Sequence, residues 1–371
     1  MLDHLETELV EAILLAVPAR ERRATLRAAC LTSKRLRLVA QPLLWHNIAL
    51  HKKSMLSCLA QRPAPRTPFL GAFVRTLTVD KQEVWQHAVW LLPKLEQLAE
   101  FRLRGVLVRQ EDKLEVALVR VQHFSLAHGG IGGPDQQPPT LPNLVTLTLL
   151  EIQAHPSFAN AWLRLARLPA LRVLHVTLFH DGWYINDYPP PLDLALLSQL
   201  DFLEITPVMG AWLRSHLFLL NTFTDTPPPS PILITAPITA PLYPFKGLLA
   251  YPFLHHFHLS LPRSDAHRCG CGHCYIWSLP RDVLSGLDQL IHRLPSFHLR
   301  TLTLPCAPFG FLGEHASLEL GLKPAWRRLL AVCEKEGVEV LWEEEEEERG
   351  AAKVCDVFWR WARERRAADG R

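Results

Sequence analysis

From residue 70 onward a short apolar pattern recurs, reading hydrophobic-x-x-Leu-x-Leu and often preceded by Leu-Pro. The copies are Val74-Arg-Thr-Leu77-Thr-Val79, Leu98-Ala-Glu-Phe101-Arg-Leu103, Val121-Gln-His-Phe124-Ser-Leu126 and Leu144-Val-Thr-Leu147-Thr-Leu149. Later copies are Leu171-Arg-Val-Leu174-His-Val176, Leu200-Asp-Phe-Leu203-Glu-Ile205, Leu254-His-His-Phe257-His-Leu259 and Leu299-Arg-Thr-Leu302-Thr-Leu304. Alternation with a period of two predicts a short strand in each copy, with its central residues turned inward. The centres fall at 77, 101, 124, 147, 174, 203, 257 and 302, so the first five gaps run from 23 to 29 residues. Between 203 and 257, Pro231-Ile-Leu233-Ile predicts a degenerate strand centred on Leu233. Helical spacing of apolar residues predicts helices over 156–168, 278–294, 323–336 and 351–366, the last two as a cap.

The first 50 residues carry a different rhythm. Leu5, Leu9, Ala12, Ile13 and Ala16 fall on one side of a helix and predict a core-facing stripe. Val10, Leu14 and Leu15 lie off that stripe, so this helix has more apolar surface than one buried face requires. A second helix is predicted from Arg20 to Cys30 and a third from the N-cap Ser33, stopping or kinking at Pro42. Ile48 and Leu50 alternate like a short strand.

Two resemblances follow from these residues. Leu5-Glu-Thr-Glu-Leu9-Val-Glu-Ala-Ile13, Ala29-Cys-Leu31-Thr-Ser33-Lys34-Arg-Leu36 and Gln41-Pro42-Leu43-Leu44-Trp45 together resemble an F-box, in order and in spacing. Glu6 stands where that family has proline, and Leu36 where an aromatic is common. The spaced strands resemble a leucine-rich-repeat array, whose period is about 20–29 residues. The Asn or Cys that usually follows the strand in that family is absent. One repeat cannot bury its own apolar face, so the copies must stack.

The resemblance implies an α/β solenoid: an F-box-like helical domain over 1–50, a linker over 51–70, a repeat array over 71–342 with irregular insertions, and an acidic run plus helix over 343–371. It implies a non-catalytic substrate receptor of a Skp–cullin–F-box ubiquitin ligase, of the divergent kind common in fungi. Leu5, Leu9, Ile13, Leu31, Leu36, Leu43 and Trp45 are then expected to bind the Skp-type adaptor, and through it a cullin, by contact or by shaping the surface. A protein substrate would lie on the residues that alternate with the inward leucines, a polar strip. Arg102, His175, Phe202, His256 and His258 are its expected anchors, because aromatics and Arg dominate binding hot spots. The alternative is a repeat scaffold with no ligase role, whose N-terminal helices only cap the array.

Composition agrees with repetition: leucine supplies 68 of the 371 residues, and there are 30 prolines. Prolines cluster at 63–68, 134–139, 189–191 and 227–231, where loops are expected. The net charge of +3 is too small to imply a nucleic-acid partner. The sign is uneven, with seven Lys or Arg between Pro18 and Arg37 against Glu21 alone, and six glutamates in a row from Glu343 to Glu348. The N-terminus lacks a basic n-region, no stretch approaches a membrane span, and the cysteines show no disulfide framework. An intracellular protein, cytoplasmic or nuclear, is expected, with no membrane partner and no cofactor. No catalytic signature is found, and Gly129-Gly130-Ile-Gly132-Gly133 is read as a flexible loop. Cys269, Cys271 and Cys274 have the spacing of one zinc hook but no second hook, so no metal is expected there.

Overall fold

Each copy of the apolar pattern forms a β-strand, and consecutive copies lie side by side. This arrangement is seen in a computed structural model, which describes residues 6–60, 70–109, 112, 114–131, 137–150, 152–154, 162–177, 193–206, 231–237, 254–260, 280–296, 298–304, 316–342 and 356–370. The strands in chain order are β1 (Asn47–Leu50), β2 (Thr76–Val79), β3 (Glu100–Arg104), β4 (Leu107–Val108), β5 (His123–Ala127), β6 (Gly130–Ile131) and β7 (Thr146–Leu150). They continue with β8 (Gln153–Ala154), β9 (Val173–Thr177), β10 (Phe202–Thr206), β11 (Ile232–Pro237), β12 (His256–Ser260), β13 (Thr301–Leu304) and β14 (Glu339–Trp342). The short β4, β6 and β8 form a small parallel sheet, and the other eleven form one open parallel sheet in chain order, with β1 and β14 at its edges. The helices are α1 (Thr7–Ala16), α2 (Ala19–Thr32), α3 (Lys34–His46), α4 (Lys53–Ala60), α5 (Gln82–Ala88) and α6 (Leu114–Ala117). After them come α7 (Leu194–Gln199), α8 (Pro280–Arg293), α9 (Ala316–Lys335) and α10 (Asp356–Ala368). The class is α/β.

Alternation explains why these strands stack. In β3, Phe101 and Leu103 are buried while Arg102 and Arg104 are exposed, and β2, β5 and β7 repeat the phase. The inward residues meet side chains from α4, α5, α7, α8 and α9 in one continuous core. Aromatic rings form a ladder inside it, with centroids 5.8 Å apart for Trp85–Phe101, 6.0 Å for Phe101–Phe124 and 6.4 Å for Phe124–Trp162. A single turn geometry recurs at the strand entrances. The carbonyl of Arg75 accepts from the amides of Ala99 and Glu100, that of Ala99 from Gln122 and His123, and that of Arg172 from Asp201 and Phe202. Repeating the turn keeps register, so one outward row of residues crosses the whole sheet from Ala49 through Arg102, His175 and Glu204 to Glu339.

Several expectations change. Helix α3 does not stop at Pro42 but runs on to His46. The carbonyl that loses its donor belongs to Leu38, a residue 75% exposed, so water can reach it. Of the helix expected over 156–168, residues 156–161 lie outside the described residues and 163–167 are turns and bends. Gly130–Ile131, read as loop, is the buried strand β6. The large sheet already begins at Asn47, and Lys53–Ala60 is helical where a linker was expected. In β11 the inward residues are Ile232 and Ile234, whereas Leu233 points to the opposite face.

Candidate functional site

The N-terminal helices bury one apolar stripe and expose another. Val10 and Leu14 pack with Leu26, Leu36, Val39, Ala40 and Leu43 in a cluster separate from the main core. This reverses the expected phase of α1. Leu9 and Ile13 are 49% and 39% exposed, and Ala12 and Ala16 beside them are exposed too. Both stripes are apolar, and it is Val10 and Leu14 that meet Leu26 of α2 and Leu36, Val39, Ala40 and Leu43 of α3. Leu31 at the end of α2 is also exposed, as is Leu38 on α3. Of the expected adaptor residues, Leu9, Ile13 and Leu31 are therefore available for direct contact. Leu36 and Leu43 are core, Trp45 is partly buried against the main core, and Leu5 lies outside the described residues. Ser33 caps α3 as expected, its hydroxyl accepting from the Leu36 amide at 3.1 Å.

The polar strip divides into two halves. Over β2–β7 it is partly open. Arg102, with 47% of its side chain exposed, pairs with Glu100 at 2.6 Å, and the Thr76 hydroxyl donates to the same carboxylate at 3.2 Å. Over β9–β14 the helix α10 crosses it. His175, His256 and His258, read from the sequence as surface residues, are 6%, 8% and 1% exposed. The correction has a specific cause: Phe358, Trp359 and Ala362 of α10 pack on Leu233, with Phe202, Leu341, Val357 and Trp361 around them. Phe202 meets Trp359 edge-on at 4.6 Å, and His256 lies 5.0 Å from Phe358 and 5.4 Å from Trp361. Thus Arg102 remains accessible, while the other four expected anchors lie on the half of the sheet that α10 crosses.

Glu204 is the centre of this covered half. Its Oε2 accepts from the Trp359 indole at 3.2 Å and faces His175 Nδ1 at 3.1 Å, while its Oε1 accepts from the Thr235 hydroxyl at 2.9 Å. An ionised carboxylate only accepts, so His175 must carry its proton on Nδ1. The Thr235 hydroxyl spends its hydrogen on Glu204, so His258 Nδ1, 3.3 Å away, must donate to Thr235. Burial pushes the Glu204 carboxyl up, but its hydrogen bond and charge interaction with His175, then His258 and Thr235, hold it below the ordinary range. His256 is lowered as well, which for an imidazole favours the neutral form. Burial, then the charges of His255 and Arg300, lower it to about 3, and its Nδ1 meets the Thr301 hydroxyl at 2.8 Å.

No protein-family model matches the chain, and no curated protein matches it. The site is therefore read from its own residues. Among the described residues no helix is long and apolar enough to cross a membrane. A shallow hollow of about 460 Å³, lined by Leu284, Asp288 and His292 of α8 among others, coincides with neither candidate face. The loop with Cys269, Cys271 and Cys274, and the Glu343–Glu348 run, lie outside the described residues. Sequence reasoning missed Asp201, Glu339 and the α10 side chains Trp359, Trp361 and Arg366 as parts of the strip. A signal was present in Ile232-Leu233-Ile234, since a run of consecutive apolar residues within a strand places apolar side chains on both faces.

Proposed function

We propose that this chain is a non-catalytic substrate receptor, its N-terminal helices binding a Skp-type adaptor of a cullin-based ubiquitin ligase and its repeat array holding a protein substrate. The observation that carries this reading is the two-faced α1, with Val10 and Leu14 buried while Leu9 and Ile13 stay exposed. A small helical unit that keeps a second apolar stripe in water presents a surface for a partner helix. The F-box-like residues supply both stripes, and the ordered strands that follow suit a leucine-rich-repeat solenoid. Catalysis in such an assembly is proximity, supplied by holding two proteins together.

The test is co-purification with a Skp-type adaptor. Leu9→Glu with Ile13→Glu changes only exposed side chains and should abolish capture while leaving the fold intact. Unchanged capture would overturn the reading. Trp45→Ala is the poorer probe, because Trp45 packs against the main core and its loss would loosen the join between α3 and the sheet. That join favours the second reading, a scaffold whose N-terminal helices cap the β1 edge. A cap needs a polar outer face, and the exposed Leu9, Ile13, Leu31 and Leu38 weigh against it.

A further inference from the structure

The two faces of strands β9–β13 have opposite chemistry, yet both are covered. Toward the main core they present leucine, isoleucine, valine and phenylalanine. On the other face lie all seven of the buried polar or charged side chains found among the described residues, Glu204 and His256 included. A face meant for permanent burial is apolar, because each buried polar group must be re-satisfied at a cost. This face carries a carboxylate, imidazoles and hydroxyls that water would satisfy equally well. Its cover is held by a small apolar cluster distinct from the main core: Phe358, Trp359 and Ala362 with Leu233, and Phe202, Leu341, Val357 and Trp361 around them.

The remaining attachments of α10 are polar and peripheral. The Trp361 indole donates to Glu339 at 3.1 Å, and Arg365 pairs with the same carboxylate at 3.2 Å. Arg366 donates to the Asp201 carbonyl and lies 4.9 Å over the Phe202 ring. Exposed pairs of this kind are weak individually, and a partner carrying the same groups can remake them. Three acidic residues, Asp201, Glu204 and Glu339, thus face indole and guanidinium donors of the helix, a charge match that defines what fits.

We propose that α10 is a displaceable internal ligand, occupying a helix-binding site on β9–β14 that receives a protein segment of the same chemistry. That segment is an amphipathic helix with two adjacent aromatics, a small residue one turn on, and arginine in the next turn. When α10 leaves, Glu204 and Glu339 lose indole and guanidinium donors that the incoming helix restores, with Leu233 and Phe202 receiving its aromatics. The site is built from the sheet and α10 alone, so it stands or falls independently of adaptor binding.

The probe is a fluorescein-labelled peptide spanning residues 354–370. Full-length protein carrying Phe358→Ala and Trp359→Ala, with its own helix loosened, should bind this peptide at least tenfold more tightly than the wild-type chain does. A peptide with the same two substitutions should fail to bind, and adding Asp201→Lys and Glu339→Lys to the protein should weaken binding at least tenfold. Hydrogen exchange on the wild-type chain needs no variant: the α10 amides should exchange at least 100-fold faster than those of β9–β12. A folded double variant that binds no better than wild type, or α10 amides as protected as the strands, would overturn the proposal. Should the double variant fail to fold, the exchange measurement decides alone.

Discussion

Truncating α1 on its two sides tests which stripe holds the helical unit together. Leu14 is 4% exposed and Val10 1%, and both sit in a cluster of seven buried residues among those described. Leu14→Ala removes one of the larger members and leaves a space that this small cluster cannot close, so the loss should be about 2–4 kcal/mol. Leu9→Ala removes side-chain atoms that are already half in water, and alanine favours the helix, so its change should stay within about 0.5 kcal/mol. The readout is urea unfolding followed by hydrogen exchange, read separately at the amides of α1–α3 and at those of the sheet. Leu14→Ala should shift the transition of the N-terminal helices well below that of the sheet, and Leu9→Ala should leave it in place. Equal destabilisation by the two substitutions would refute the assignment of faces, and with it the argument that Leu9 and Ile13 are kept exposed for a partner.

Two further outcomes follow from the sheet. Gly129→Ala would set a Cβ against the Val106 carbonyl, which accepts from the Gly130 amide at 3.1 Å, so the join between β4 and β6 must shift; a loss of about 1–3 kcal/mol in chemical denaturation is expected. His256 is buried neutral with its pKa lowered to about 3. The unfolded chain therefore binds a proton that the native state refuses, and stability, full above about pH 6.5, falls toward pH 3 by up to roughly 4–5 kcal/mol. Glu204, held below its ordinary value, adds a further loss as pH drops through that lowered value. His256→Gln should flatten the slope between pH 6.5 and 4, and an unchanged slope in unfolding free energy against pH would sink the assignment.

Most of the large sheet was legible because its signal is local. Leu77, Phe101, Phe124, Leu147 and Leu174 repeat at nearly constant spacing, and the first four are flanked on both sides by polar residues that set the phase of the strand. The edge strands β1 and β14 are harder to read. Asn47–Leu50 follows a helix with no break between them, and Glu339–Trp342 contains Val340-Leu341-Trp342 without the leucine spacing. Helix α1 shows the limit of periodicity. Leu9, Ala12, Ile13 and Ala16 form one apolar stripe and Val10 and Leu14 another, and the periodicity of apolar letters does not say which of two such stripes meets α2 and α3.

The covered strip failed to appear in the sequence for a different reason. Side-chain polarity reports how a face can be satisfied, and it is silent on whether water or protein does the satisfying. Thr148, His175 and Glu204 continue the outward row begun by Thr78 and Arg102, so the pattern reads as one wet surface across the sheet. Leu233, the one large apolar residue in the row, marks where a helix lies. Had the whole covered half been built to stay closed, its neighbours His175, Glu204, His256 and Thr301 would gain from becoming apolar as well. A few apolar residues for α10 to grip, Leu233 with Phe202 and Leu341, among side chains that would be at ease in water, suit a surface that must be stable both covered and bare.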